Sequence, residues 1–390
     1  MIAGIIGAAG YAGSELVRLL AGHPRIDRLV LGSVSRGGER IEEIYPNFWG
    51  KISAPLVSPG EVIAAAVQSG GVHAGVVFAA LPHGVGEPYA KACVEQGVSF
   101  IDLSADFRFG DDEAAYTAWY GKAYQYPELR RRSVYGLPEL YRNRIRELAA
   151  AGPVIIGNPG CYPTAASLGI FPALARGLAA LDGAGPGIIV DAASGISGGG
   201  REPARAYHFP ECADSVSPYK IGEHRHTPEI SRNLGAMRPL TAAGLGPVKP
   251  GSPVPVIFTP HLVPMNRGIL STIYIPLAGA WKSAGMDSVQ PQPEETGEKL
   301  QEIRKIYAEF YRDEPFVRVL PAGTVAATGR VRHSNFCDIS VHADRRGTTL
   351  IVISAIDNMV KGAAGQAVQN MNILLGFEES DGLGAIPALF

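Results

Sequence analysis

Residues 2–20 read IAGIIGAAGYAGSELVRLL. The opening IAGII is short and apolar, the pattern of a strand covered on both faces. Gly7-Ala-Ala-Gly10-Tyr11-Ala12-Gly13 follows, and apolar residues then recur at helical spacing over 13–22. A turn poor in Cβ atoms lets backbone N–H groups approach a pyrophosphate where a helix N-terminus favours negative charge. Strand, glycine turn and helix in that order form a dinucleotide-binding pattern, with Gly7, Gly10, Tyr11, Ala12 and Gly13 as candidate contacts. Working outward, further apolar runs at 28–32, 74–79 and 98–103 are separated by helical spacing at 60–68 and 86–96. Such alternation requires right-handed crossovers and predicts a doubly wound parallel sheet, a Rossmann-type α/β domain.

The end of the second strand indicates which dinucleotide to expect. An acid there would accept from a ribose 2′-OH and repel a 2′-phosphate. The chain instead runs Leu31-Gly-Ser33-Val-Ser35-Arg36-Gly-Gly, with no acid before Glu39. The hydroxyls of Ser33 and Ser35 and the guanidinium of Arg36 suit a phosphate dianion, so NADPH/NADP is expected.

After about residue 150 the rhythm changes. Runs at 187–191, 254–258, 269–276, 335–342 and 349–356 are partly alternating, which implies one wet face and a large mixed or antiparallel sheet in an α+β second domain. Residues 297–313 are amphipathic, with Leu300, Ile303, Ile306, Tyr307 and Phe310 on one face, whereas 284–296 reads as a surface loop. A last helix, about 358–375, is rich in small residues suited to close packing and return to the first domain. The organisation expected is therefore 1–157 with 358–390 as the NADP-binding domain, and 158–357 as a catalytic and dimerisation domain. The final dozen residues read as a docked or loose tail.

Bulk properties agree with a globular protein. The 390 residues are 46% apolar and 18% charged, enough for two or three domains. A formal net charge of −2 argues against nucleic acid or an anionic membrane as partner. No apolar stretch is long enough for a membrane span, and the N-terminus lacks the basic region of a secretory signal. Cys93, Cys161, Cys212 and Cys337 are far apart, with no CxxC pair, which suits a reducing compartment. A cytoplasmic location is expected.

One cysteine stands apart. In GNPGCYPTAASL (157–168) an apolar strand ends at Asn158, a Pro-Gly turn follows, and a helix opens near Pro163. Cys161 therefore falls at a helix N-terminus, where the macrodipole favours the thiolate. A free thiol, with a pKa of about 8.5, is only slightly ionised near neutrality, so that placement makes a nucleophile. The other three cysteines sit in helix-like, strand-like or irregular segments and read as structural.

With these residues in view, GAAGYAGSELVRLL (7–20), ALPHG (80–84), DLSADFR (102–108), YGLPE (135–139), GNPGCYPTA (157–165), SGISGGGR (194–201), HRHTPEI (224–230) and FTPHLVPMNRGI (258–269) resemble the N-acetyl-gamma-glutamyl-phosphate reductase family. That family, of arginine biosynthesis, is related to aspartate-semialdehyde dehydrogenase. The resemblance runs in order over about residues 1–375; GNPGCYPTA and HRHTPEI are specific to this branch, the glycine turn is not. It implies a second domain like that of glyceraldehyde-3-phosphate dehydrogenase, and an NADPH-dependent reduction of a small acyl-phosphate substrate to an aldehyde. The Cys161 thiolate would attack the acyl carbon and expel phosphate, and hydride would convert the resulting thioester to a thiohemiacetal. The loop 284–296 and the terminal dozen residues look like additions.

A thiolate route needs an acid–base group, and histidine has the suitable pKa. His224 and His226 flank Arg225, and an extended segment would point both to one side. The resemblance puts this segment at the active site, with His226 the favoured base, His224 beside it and His261 a weaker candidate. A metal pair with His208 and Cys212 is the alternative, but no ligand spacing fits and no metal is expected. For the substrate's anions the resemblance favours Arg108, with Arg201 and Arg225 as alternatives and Asn158 nearby. Leu81, Pro82 and His83 are expected to border the cofactor, Ser194, Gly195 and Gly198 to Gly200 to face nicotinamide or substrate, and Asn358 to hold the carboxamide. Tyr135 and Glu139 are pocket candidates. A homotetramer or homodimer is the state implied.

Three rival readings remain, of which aspartate-semialdehyde dehydrogenase belongs to the same chemical class. A reductase of a carrier-bound aminoadipyl or glutamyl phosphate needs a wide, basic entrance, for which Arg130-Arg131-Arg132 is the one candidate run; a solvated face accounts for that run better, and the free N-acetyl substrate is favoured. A non-catalytic NADP sensor would have no need of the cysteine and histidines present here.

Overall fold

The computed structural model describes residues 1–69, 75–181, 187–237, 252–279 and 293–389, of which 293–296 are described in backbone alone. The chain divides into two compact units. The first comprises Met1–Gly160, Gly199–Glu202 and Met359–Ile386; the second comprises Cys161–Gly198, Pro203–Asn358 and Pro387–Phe390. Of the loop expected at 284–296, residues 284–292 lie outside the described residues, and Pro293 already opens the helix Pro293–Phe310.

The first unit is built on a six-stranded parallel sheet: β1 (Ile2–Ile6), β2 (Arg28–Gly32), β3 (Val76–Ala79), β4 (Ser99–Asp102), β5 (Ser133–Tyr135) and β6 (Ile155–Gly157), in the order 2-1-3-4-6-5. The pairing is parallel throughout. The chain leaves β1 to one side for β2 and crosses to the other for β3, so the crevice beyond the ends of β1 and β3 is where such sheets bind ligands. The turn after β1 occupies that place. Gly7, at φ +91°, is pressed so closely on the residue after β3 that a Cβ would lie 2.3 Å from the Ala80 carbonyl oxygen.

The final helix belongs to this unit. It opens with a π-helical turn, Val360–Ala364, and continues as Gly365–Leu374, every residue of which is buried. Its polar residues are accommodated by specific bonds. Gln366 Nε2 and Asn370 Nδ2 both donate to the Gly136 carbonyl, and Lys361 Nζ donates to Glu139 Oε1 at 2.7 Å and Gln369 Oε1 at 2.8 Å. The tail docks on it through Asn372 Nδ2, which donates to the carbonyls of Glu379 and Asp381. The Arg130-Arg131-Arg132 run is not a uniform solvated face. Arg130 is buried, paired with Glu87 at 3.0 Å and stacked on Tyr124 and Phe107, because its guanidinium finds a carboxylate and two rings inside the unit.

The second unit carries a seven-stranded mixed sheet: β7 (Ile188–Ser194), β8 (Ser217–Pro218), β9 (Val256–Leu262), β10 (Ile269–Pro276), β11 (Val317–Val319), β12 (Cys337–Ala343) and β13 (Thr349–Ile356), ordered 11-12-13-10-7-9-8. Alternation appears where the sequence pattern placed it. In β10, Ile269, Ser271, Ile273 and Ile275 are buried, whereas Leu270, Thr272 and Tyr274 are not. The buried face is covered by the helix Cys161–Ala175, in which every side chain from Tyr162 to Leu174 is buried.

Pro172 stands inside that helix and has no N–H to offer the Leu168 carbonyl. Tyr311, on the turn after the helix Pro293–Phe310, donates its hydroxyl to that oxygen, and Tyr307 donates to the neighbouring Gly169 carbonyl at 3.0 Å. Replacing Tyr311 by Phe strands a buried carbonyl and is expected to cost about 1–3 kcal/mol, read as a lowered denaturation midpoint at unchanged m-value.

Candidate active site

In the first unit the glycine turn separates two kinds of constraint. Gly13 is required by packing, since a Cβ there would meet the Gly7 carbonyl oxygen at 2.1 Å. Gly10 is not, because its nearest neighbour would lie at 3.6 Å, an ordinary contact. Gly10 is the N-cap of the helix Tyr11–Leu20, supplies no side-chain cap, and is followed by no acid in the first turn. The first-turn N–H groups are thus left to an external anion, with space kept clear by Gly10, and the residues present fit a dinucleotide pyrophosphate.

Beyond β2, Ser33 Oγ accepts from the backbone N–H of Arg36 at 3.1 Å, folding the turn. Arg36 pairs with Glu39 at 3.1 Å, so the nearest acid is already engaged by a cation of the same turn. The Leu81-Pro82-His83 segment is pinned from one side. His83 Nδ1 accepts from the Ala105 N–H at 3.0 Å, and Asp106 accepts from the N–H groups of Gly84 at 2.6 Å and Gly86 at 3.1 Å. Asp106, also bound by the Tyr116 hydroxyl at 2.8 Å, was missed by sequence reasoning although it stands within the DLSADFR motif. Its neighbour Asp102 is buried, and burial together with the Asp106 carboxylate holds its pKa above the usual carboxylate range.

Arg108 is buried and spends Nε on the Asn158 carbonyl and one Nη on the Leu103 carbonyl, both at 2.8 Å. Asn158 is itself fully buried, bonded through its amide to Ala363 and Asn370. Both residues brace the turn that leads into Cys161. Glu139 pairs with Lys361 inside the unit, and Tyr135 is buried against Tyr141.

In the second unit Cys161 is the first residue of the helix Cys161–Ala175 and is half-buried. The helix starts two residues before Pro163, which accordingly sits in its first turn. Cys93 and Cys337 are buried, and burial pushes the Cys93 thiol far up.

His224 and His226 are not extended; they lie in the turn before the helix Thr227–Ala236, which Pro228 helps to start. The turn still brings them together, with ring centroids 4.9 Å apart. It also makes them unequal. The His226 backbone N–H donates to His224 Nδ1 at 3.1 Å, so Nδ1 is an acceptor and the proton of the neutral ring is on Nε2. Tyr162, Tyr219 and Phe258 surround His224, with centroids 5.6, 5.4 and 5.3 Å away. Burial, with Lys220 and Arg225 nearby, holds His224 down at about 4. His224 is therefore a neutral hydrogen-bond donor. Tyr162, adjacent to Cys161, lies 5.9 Å from the His226 ring and accepts a hydrogen bond from the Tyr219 hydroxyl at 3.1 Å. The two tyrosines were not singled out in the sequence, because nothing in their spacing distinguishes them from core residues.

His261 does not join this group. In β9 it faces the side opposite Phe258 and pairs with Asp191 at 3.2 Å. Ser194 and Asn358 are buried. Asn358 accepts from the Gly268 N–H at 2.7 Å and donates to Ser197 Oγ at 3.0 Å, so its amide holds the 194–198 loop. Gly195 is packed on Asn266, with 2.6 Å left for a Cβ. No group of three His, Cys, Asp or Glu with metal-site geometry occurs among the described residues, nor is any described helix long and apolar enough to cross a membrane.

Comparison with known proteins agrees with both halves of this description. Residues 2–148 match the semialdehyde dehydrogenase NAD binding domain and residues 161–358 the semialdehyde dehydrogenase dimerisation domain, so the class is that of the semialdehyde dehydrogenases. An N-acetyl-gamma-glutamyl-phosphate reductase from Clostridium beijerinckii is 45% identical over 99% of this chain and 99% of its own. One from Symbiobacterium thermophilum is 44% identical over 97% and 96%. Among solved structures, aspartate semialdehyde dehydrogenase II from Vibrio cholerae, complexed with ASA, aligns with a TM-score of 0.62 at 15% identity, covering 96% of this chain and 98% of that one. The Candida albicans enzyme with NADP aligns at 0.58 and 17%, with coverage of 96% and 98%. The chain belongs to the N-acetyl-gamma-glutamyl-phosphate reductase family, an oxidoreductase branch of the semialdehyde dehydrogenases.

Two measurements follow from this geometry. Gly10→Ala is expected to leave the thermal midpoint nearly unchanged while weakening dinucleotide binding; Gly13→Ala, whose Cβ collides with main chain, lowers the midpoint itself. His224 titrates near 4 when folded and near 6.5 when unfolded, so the unfolded chain binds more protons between those values. Stability is thus undiminished by this group above 6.5 and is lost as pH falls toward 4, by about 3 kcal/mol at most. The difference in unfolding free energy between the parent and His224→Gln across that window is expected to show this slope; parallel profiles would refute it.

Proposed function

We propose that this chain reduces N-acetyl-γ-glutamyl phosphate to N-acetylglutamate 5-semialdehyde and phosphate, with NADPH as reductant and a thioester on Cys161, as a step of arginine biosynthesis. The observation that carries the reading is a half-buried cysteine at the first residue of a buried helix, in a unit that also contains the close pair His224 and His226. The family relationship over the full length supplies the substrate class.

In this reading His226 takes the Cys161 proton, and the thiolate attacks the acyl carbon as the C–O bond to phosphate breaks. The Gly7–Gly13 turn would hold NADPH, which when bound would supply the hydride that reduces the thioester. His226 gives its proton to the alkoxide oxygen that forms, then takes it back as the C–S bond breaks and the aldehyde leaves. His224 stays neutral and donates from Nε2. Arg225, whose charge is felt by His224, is the guanidinium assigned to the substrate's anionic groups, and Arg108 and Asn158 brace the approach to Cys161. Ser33, Ser35 and Arg36 serve the 2′-phosphate, which makes NADPH preferred over NADH.

The chain is read as a cytoplasmic homo-oligomer, a homodimer or homotetramer. Support comes from the outer sheet face, where Ile351, Tyr274, Ile189 and Ile257 form a cross-strand row of apolar residues left partly exposed.

The test runs the reaction in its easy direction: NADPH formation at 340 nm from NADP, phosphate and N-acetylglutamate 5-semialdehyde, with aspartate semialdehyde in parallel. Phosphate-dependent signal with the N-acetyl compound alone is expected. Cys161→Ala should abolish it while retaining NADPH binding, and His226→Asn should lower kcat by about 10²- to 10⁴-fold. Silence with both aldehydes in a protein that binds NADP would favour a carrier-bound substrate instead.

A further inference from the structure

Arg201 lies in the segment Gly199–Glu202, which packs in the first unit although the residues on either side belong to the second. One Nη donates to the Ala9 carbonyl at 3.2 Å, and the guanidinium carbon stands 4.9 Å from the centroid of the Tyr45 ring. Tyr45 donates its own hydroxyl to the same carbonyl at 2.9 Å. One tyrosine thus provides both a platform for the guanidinium and a second bond to its acceptor, and that acceptor is part of the Gly7–Gly10 turn.

The charge of Arg201 is uncommitted. Among the described residues no carboxylate pairs with it, whereas Arg18, Arg36, Arg40, Arg130 and Arg142 of the same unit are paired with Glu15, Glu39, Glu42, Glu87 and Glu379. A guanidinium has five N–H donors in a planar fork matched to phosphate oxygens, and stacking on a ring fixes the plane of that fork. The nearby first turn of the helix Tyr11–Leu20 is uncapped and carries no acid, so donors of both kinds lie at the same turn.

We propose that Arg201 binds the pyrophosphate of the nicotinamide cofactor at the Gly7–Gly13 turn, with Tyr45 as its positioning residue. This rests on the reading of that turn as the cofactor site. It withdraws Arg201 from the acyl-phosphate substrate, the role its motif suggested. The 2′-phosphate is not its target, because Arg201 is anchored to the turn itself, whereas Ser33, Ser35 and Arg36 follow β2.

The experiment titrates the full-length protein with NADPH and, separately, NADH, without substrate, following reduced-nicotinamide fluorescence. Arg201→Gln is expected to weaken both by a common factor of about 10- to 100-fold. Arg201→Lys should recover part of the loss, and Tyr45→Leu should reproduce part of it. In the phosphate-dependent assay at saturating NADP, KM for phosphate and aldehyde should not move. Because Arg201 is exposed, its variants should melt with the parent, and this is checked first. Weakening confined to NADPH would assign Arg201 to the 2′-phosphate. A raised KM for phosphate with unchanged cofactor binding would return it to the substrate, and no change at all would make it an ordinary surface cation. Each of these overturns the proposal. Failure of the parent protein to bind either dinucleotide would overturn the cofactor reading itself, and the assignment of Arg201 with it.

Discussion

The burial of the helix Cys161–Ala175 is the constraint on which the rest of the second unit depends. A helix apolar on all sides has no wet face, so it must be enclosed, and every side chain from Tyr162 to Leu174 is. Enclosure leaves only its two end residues, Cys161 and Ala175, partly exposed. The interior proline would weaken such a helix unless the freed carbonyl found another donor, and the Tyr311 hydroxyl supplies one. A packing problem in the middle of the helix is thereby solved by an aromatic pair from the amphipathic helix and the turn after it, and the position of Cys161 inherits that rigidity.

The histidine pair shows how local backbone geometry divides labour between similar side chains. Both imidazoles lie near Tyr162, yet one Nδ1 is occupied by a main-chain N–H and the ring is wrapped in aromatics. Protonating that ring would break the bond and place a cation in an apolar box beside Lys220 and Arg225. That cost keeps the His224 ring neutral.

Most of the architecture was legible because it rests on periodicity. Runs at 2–6, 28–32 and 269–276 became strands with those bounds, and the glycine turn stands where the strand-to-helix transition put it. What escaped had no periodic signal. The short strands β5 and β8, the π-helical turn carrying Lys361, and the inward side chain of Arg130 depend on partners distant in sequence. An extended segment would have pointed both histidines to one side; Pro228 and the helix it begins make the segment a turn, which brings the rings together by another route. His261 looked like an acid–base candidate from its motif, and only the register of β9 with β7 reveals that it faces Asp191 on the opposite side of the sheet.

Charge placement within the first unit carries the last step. The chain is nearly neutral, so no long-range field draws an anionic cofactor or substrate toward it. Anion recognition must then come from individual groups that the fold declines to neutralise. Burial forces pairing, as with Arg130 and Glu87 or Lys361 and Glu139, because an unpaired charge in the interior is prohibitively costly. Arg108 donates to two main-chain carbonyls, and its charge also acts on the buried Asp102 carboxylate. A guanidinium held at the surface by one carbonyl and one ring keeps its charge without that cost, and the uncapped helix N-terminus beside it keeps its N–H groups on the same terms. Donors that water alone satisfies in the free protein are the ones an incoming phosphate can claim.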